Sequence, residues 1–277
     1  MSAQTPASPS PGSPALDVLD RRTPPPEFVD AHAHLGPYSL FFIPDHGAAD
    51  LVRVMDRCGV ARTLLSSHLA IQCDAAAGND ATAAAVAAFP DRLAGYLVVN
   101  PWQDPVAELS RWAGDPRFAG IKLHPSLHEY RLTGPRYRPV WEYAAERRCP
   151  VLTHTTSGLP YDDPAMVGEV AGRYPEVTIL AGHSGLFRAG FDDAIEVARR
   201  HPNVVLELCG SFMHGDEISR MVGEVGSGQV VFGSDVPFID LRMSLGRVIF
   251  ARLSEADRRA VLGGTMRRVL ATAPRAA

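Results

Sequence analysis

The stretch Glu27-Phe-Val-Asp-Ala-His-Ala-His34 decides the fold. It is a short apolar run with prolines before it and Leu35-Gly36-Pro37 behind it, the signature of a strand. In an open doubly wound sheet the first strand normally runs into a glycine-rich phosphate loop. Here it ends in Asp30-Ala-His32-Ala-His34, and no GxGxxG follows. Seven further runs of the same kind come after it: RTLLSSH (62–68), RLAGYLVVN (92–100), GIKLH (120–124), PVLTHT (150–155), VTILAGH (177–183), VVLELCG (204–210) and VVFGSD (230–235). Helical patterns lie between them, such as AADLVRVMDRCGV (48–60), NDATAAAVAAF (79–89) and DAIEVARRH (193–201). A repeat of roughly 26–36 residues has the size of a βα unit. Strands alternating with helices imply a parallel sheet covered by helices. Eight such units predict an α/β protein built as one (β/α)8 TIM barrel.

The chain has 277 residues, 46% hydrophobic and 21% charged, enough apolar material for a large core. A formal charge of −4 argues against a broad nucleic-acid or anionic-membrane footprint. No apolar stretch of about 18 residues is present, so no membrane span is expected. Cys58, Cys73, Cys149 and Cys209 form no CxxC pair. That argues against a disulfide framework or a thiolate zinc site and for a reducing compartment, so the cytoplasm is expected. Residues 1–26 hold seven prolines and four serines with little that could pack, and read as a disordered leader ahead of a barrel spanning 27–277. The expected partner is a small-molecule substrate, and a homodimer is the default assembly.

The histidines carry the functional argument. His32 and His34 end strand one, His68 strand two, His124 strand four, His154 strand five and His183 strand six. His46, His128 and His214 lie in loops after strands, and His201 sits at the opposite end. Barrel enzymes build their sites at the C-terminal strand ends, so the ligand-forming residue type crowds the functional face. Strand parity turns Asp30, His32 and His34 the same way. With His154, His183 and Asp235 at three other strand ends, a divalent metal site outweighs a set of buried structural histidines. Imidazole and carboxylate ligands suit zinc, with manganese, iron and nickel as alternatives. A catalytic ion lowers the pKa of bound water to about 7, and Asp235 is placed to take the proton.

As an ordered set these motifs resemble the amidohydrolase superfamily, most closely its branch related to aminocarboxymuconate semialdehyde decarboxylase. The likeness rests on Asp30-Ala-His32-Ala-His34, Gly120-Ile-Lys-Leu-His-Pro125, Thr153-His154, Gly182-His183-Ser-Gly185 and Gly233-Ser234-Asp235. It implies an ion held by His32, His34, His154 and Asp235, with His183 polarising the reacting group or moving protons and Asp235 acting as general base. In two-metal relatives such as dihydroorotase a strand-four lysine is carboxylated. By that likeness Lys122 is either a bridge to a second ion, held by His154 and His183, or a substrate anchor; one ion is favoured. The substrate-gripping arginines of the decarboxylase find no clear match, and Arg188 is the candidate substitute. The family's Gly-Gly-Asn-Ala-like stretch is Gly263-Gly-Thr-Met266 here, a difference expected to touch packing alone.

His124 and His68, at strand tops, are candidate substrate contacts or buried histidines with an ordinary hydrogen bond, and for His68 neither reading leads. Phe41, Phe42 and Ile43 are candidates for a pocket wall or, equally, for packing against a neighbouring loop or subunit, and His128, Tyr130 and Arg136 lie in a loop that could recognise substrate or simply be solvated. Glu207 reads as a buried structural carboxylate and Cys209 as a small core residue. The leading functional expectation is a metal-dependent hydrolase. Metal-bound hydroxide would open a C–N or C–O bond of an amide, lactam, ester or lactone, with His183 helping to stabilise the oxyanion. The alternative is a non-oxidative decarboxylase or hydratase of an aromatic or unsaturated acid. A non-enzymatic metal-binding protein ranks last, because the ligand set is complete.

Overall fold

The computed structural model describes residues 28–272, so the leader assigned to 1–26 lies outside the described residues. Eight strands are hydrogen-bonded in sequence order, every pair parallel. They are β1 (Phe28–Leu35), β2 (Val60–Ser67), β3 (Leu93–Val98), β4 (Phe118–Leu123), β5 (Val151–His154), β6 (Ile179–Gly182), β7 (Val204–Glu207) and β8 (Val230–Val231). Beyond β8 the chain closes the circle onto β1. Ala31 N donates to Phe232 O (2.9 Å), His34 N to Val236 O (2.7 Å), and Ala33 bridges Val236. All eight strand runs of the sequence are present, and the barrel is as expected.

Helices cover the outside, among them α1 (Ala48–Cys58), α2 (His68–Gln72), α3 (Ala75–Ala88), α4 (Pro105–Arg111), α5 (Arg138–Arg147), α6 (Pro164–Arg173), α7 (Arg188–Arg200) and α8 (Gly215–Val225). The start of α3 is four residues earlier than the sequence pattern, because the Asp74 side chain accepts from Ala77 N and caps it there. Residues such as Met55, Leu65, Trp141, Ile179 and Leu206 pack between the strands and this outer layer. A second cluster, including Val29, Ala31, Leu64, Tyr96, Leu152, Leu180, Val205 and Val231, fills the barrel interior, with Met266 and Val269 joining it. Tyr96 reaches across that interior and its hydroxyl donates to Ala31 O (2.9 Å). Around Gly263-Gly264 the chain makes a single π-helical turn whose Val261 O accepts from Phe232 N, so this departure does serve packing.

One detail departs from simple alternation. The β1–β2 register slips between Asp30 and Ala33, so Val29 and Ala31 pack in the interior layer while His32 and His34 occupy the layer above. Asp30 is therefore a bracket rather than a ligand: its carboxylate accepts from Ser234 N and Oγ and from His32 N. Burial pushes its pKa up to about 7, against those hydrogen bonds. No helix among the described residues is long and apolar enough to cross a membrane.

Candidate metal centre

Each functional side chain sits on the last residues of a strand or just beyond it, where the barrel interior opens. His32 Nδ1 donates to Glu207 Oε2 across the barrel (2.8 Å), which leaves Nε2 as the lone pair. Lys122 Nζ lies 2.8 Å from that nitrogen, and Asp235 Oδ1 lies 3.9 Å from it. His34 holds Ser66 Oγ at Nδ1 (3.1 Å) and puts Nε2 3.3 Å from the same Asp235 oxygen. Asp235 Oδ1 is buried and makes no hydrogen bond. Imidazole nitrogens converging on an unpaired buried carboxylate oxygen ask for a cation between them, so the donor set fits a divalent ion.

Glu207 is the hinge pin of this arrangement. Beyond His32, its carboxylate accepts from His183 N (3.1 Å), Cys209 N (2.7 Å) and the Cys209 thiol (2.9 Å). It presses so closely on Gly233 that a Cβ there would stand 1.9 Å from Glu207 Oε1 and 2.9 Å from His32 Cβ. His183 and Asp235 both take the left-handed backbone region at φ 63°, a strained choice for residues with side chains. Their backbone N–H groups are tied down, His183 to Glu207 and Asp235 to His32 O (2.8 Å).

Burial opposes protonation of the imidazoles, while the Asp235 carboxylate beside His32, His34 and His183 favours it. Burial lowers the pKa of His32, His34, His154 and His183, and neighbouring cations add to it. Burial alone would raise Asp235, but His34, His183 and His32 outweigh it and hold the carboxyl below its usual range. Burial likewise lowers Lys122 and raises Glu207 and Cys209. Lys122 is the chain's single lysine among 27 basic residues, and it is fully buried.

Ligand atoms from His32, His183, Cys209 and Asp235 lie within 4.8 Å of one another, and all four residues are buried. His34 joins them through Asp235. His154 instead groups with His124 and Asp162 at the same spacing; its ring stacks on His124 (4.1 Å) and meets His183 at 4.4 Å. His68 is buried and donates from Nδ1 to Gly36 O (2.8 Å), its ring stacked on His34 and Phe238. The Arg188 side chain is 86% exposed and pairs with Glu217 (3.3 Å) rather than with the histidines. His128 is a buried structural residue bonded to Tyr137 OH and Ile71 O, and Arg136 lies over Trp102.

Cys209 is more than core filling. Its Sγ lies 3.0 Å from His32 Nδ1 and 3.1 Å from His183 Nδ1. The signal for it was its shared parity with Glu207 in strand seven. Tyr38, Phe41 and Phe238 form a ring shelf against His68 and His34, with centroids 4.5–5.6 Å apart; of the three expected wall residues only Phe41 joins it, Phe42 being exposed and Ile43 buried. A cavity of about 940 Å³ opens at the opposite end of the barrel, among Arg62, Trp112, Tyr143 and Arg147. The ligand-forming side chains lie instead at the C-terminal strand ends.

The family model described as Amidohydrolase matches residues 29–272, nearly all of the described chain. The chain belongs to this amidohydrolase family. Members of the superfamily use a divalent metal. Gamma-resorcylate decarboxylase of Polaromonas sp. (strain JS666) is 24% identical, the match covering 80% of this chain and 90% of the relative. L-fucono-1,5-lactonase of Burkholderia ambifaria is 28% identical over 76% of this chain and 80% of the relative. The solved dihydroxybenzoic acid decarboxylase of Polaromonas sp. JS666, with manganese and 2-nitroresorcinol bound, shares the fold at a TM-score of 0.65. It is 18% identical and covers 88% of this chain and 97% of its own. The amidohydrolase family thus accommodates both the hydrolytic and the decarboxylating expectation.

Proposed function

We propose that this amidohydrolase is a metal-dependent, non-oxidative decarboxylase of a hydroxylated aromatic carboxylic acid. The observation that carries the reading is the shelf beside the centre. Phe238 and His68 stack at 4.5 Å, flanked by Tyr38 and Phe41 and bounded by His34. A flat aromatic ring finds stacking surface there, whereas a polyhydroxylated sugar lactone gains little from it. The decarboxylase relatives support the same choice, and the lactonase relative keeps hydrolysis as the second reading.

His32, His34, His154 and Asp235 would hold one divalent ion, zinc first and manganese next. When bound, the ion supplies positive charge that polarises the substrate's carboxylate and hydroxyl oxygens. Glu207 fixes the His32 ring so that Nε2 faces the centre. Lys122, unmodified, is the one buried ammonium beside these ligands and anchors the acidic substrate; carboxylated, it would bridge a second ion.

Asp235 Oδ1 is an ionised base, and it takes the proton of the substrate hydroxyl. It then delivers that proton to the ring carbon bearing the carboxylate. The C–C bond breaks, carbon dioxide leaves, and the bond's electrons restore the aromatic ring as a phenolate, which takes one proton from solvent, so that one proton is consumed per carboxylate lost. His183, whose protonation burial opposes, would hydrogen-bond the departing group.

The test is to incubate metal-loaded protein with 2,6-dihydroxybenzoate, other hydroxybenzoates and sugar lactones, following both carbon dioxide and lactone opening. Carbon dioxide from a hydroxybenzoate is expected. Lactone opening without carbon dioxide release would move the chain to the hydrolase reading.

A further inference from the structure

Above β4 and β5 lies a second group of ligand-forming side chains that the proposed reaction does not use as a unit. One ligand atom each of His124, His154 and Asp162 lies within 4.8 Å of the others. Asp162 is fully buried. Its Oδ2 accepts from Ser126 N (3.1 Å) and Ser126 Oγ (2.6 Å), while its Oδ1 is buried without a hydrogen bond. Asp162 thus keeps one buried carboxylate oxygen without a partner in a group that also holds two neutral imidazoles, as Asp235 does in the inner centre.

We propose that His124, His154 and Asp162 form an outer, weaker divalent-cation site beside the inner ion. The partners of the two rings are easily released. His124 Nδ1 receives a long bond from Leu127 N (3.3 Å), and His154 Nε2 meets the Thr156 hydroxyl (2.9 Å). The rings are stacked nearly parallel, 13° apart, so one must turn about χ2 to bring its nitrogen into line; that torsion is soft for histidine. Both rings are half-buried, which leaves the position reachable from solvent.

The site has a functional consequence. A neutral imidazole offers one lone pair, so His154 serves one ion at a time. Filling the outer site therefore withdraws His154 from the inner ion, and excess metal inhibits the enzyme. This consequence rests on the reading of the inner centre given above; the binding itself does not.

Zinc titration of metal-free protein by calorimetry, with elemental analysis after dialysis, tests the proposal. One tight and one weaker equivalent per chain are expected. Asp162→Asn and His124→Phe, which keeps the stacked ring, should each lose the weaker equivalent and retain the tight one. Lys122→Met should retain the weaker one, because that ion does not use a carboxylated lysine. The proposal is overturned by a single equivalent up to millimolar zinc, by a weak equivalent that survives both Asp162→Asn and His124→Phe, or by its loss in Lys122→Met. Absence of the tight equivalent, with the weak one present, would strike the inner centre and leave the outer site standing.

Discussion

The two sides of the barrel mouth are built differently. On the side of β1, β7 and β8, His32 is oriented by a carboxylate and backbone groups tie down its neighbours: Glu207 holds His32 and His183, and His32 O holds Asp235. On the side of β4 and β5, His124 and His154 lean on each other, and their polar contacts come from a loop amide and a hydroxyl. The first side is preorganised, the second adaptable. Catalysis gains from ligands that need no rearrangement, and substrate or cation capture can tolerate ones that turn.

The sharpest way to break this contrast is Asp235→Asn. The variant keeps the shape and removes the charge that the imidazoles converge on, so activity should fall by about 10²- to 10⁴-fold. Its metal content, measured in parallel, should fall too. Unchanged turnover would mean that the centre lies elsewhere.

A control comes from a histidine outside the ligand groups. His128 donates from Nε2 to Ile71 O and accepts from Tyr137 OH, and burial holds its pKa down at about 4. The unfolded chain takes up this proton near pH 6.5, while the folded chain resists it down to about 4. Stability from this group is therefore complete above about pH 6.5 and declines as pH falls toward 4, by about 1.4 kcal/mol per unit and about 3 kcal/mol in all. Denaturant midpoints across that range should decline less steeply in His128→Gln. Equal slopes would show that His128 is not held neutral.

Much of this was legible in the chain itself. Apolar runs at βα spacing gave all eight strands, and parity set His32 beside His34, because both signals are local. What escaped was decided across the barrel axis. Cys209 meets His32 across a sequence separation of 177, and Glu207 reaches it across 175. The slip in β1 detached Asp30 from the face of the two imidazoles. Asp162 lies in a loop, where no periodicity marks it. The solitary lysine was the one global signal in plain view: a chain that otherwise uses arginine for every basic residue places its single amine in the buried centre.

Glu207→Gln probes how much the preorganised side owes to one carboxylate. The amide retains a hydrogen bond to His32 but not the charge, and partners of metal-ligating histidines are typically worth 10- to 100-fold in metal affinity or activity. Gly233→Ala should act on the same contact from the other side, since its Cβ would displace the Glu207 carboxylate. Agreement between the two variants would identify orientation of His32 as the shared cause. A loss in Gly233→Ala alone would point to backbone packing.

The smallest effect belongs to the shelf. Phe238 follows Asp235 by three residues, and its backbone N–H donates to Asp235 O (2.8 Å). Because this anchor is main chain, Phe238→Ala should leave the centre in place and remove only the ring that stacks on His68. An aromatic pair is worth about 0.5–1.5 kcal/mol beyond its area, so KM for an aromatic acid should rise about 2- to 13-fold with kcat nearly unchanged. Phe238→Leu should recover part of the apolar contact and little of the stacking. The opposite split, with kcat falling and KM steady, would place Phe238 in support of Asp235 instead. The shelf would then be part of the rigid side, and the preference for aromatic rings would have to come from the β4–β5 side.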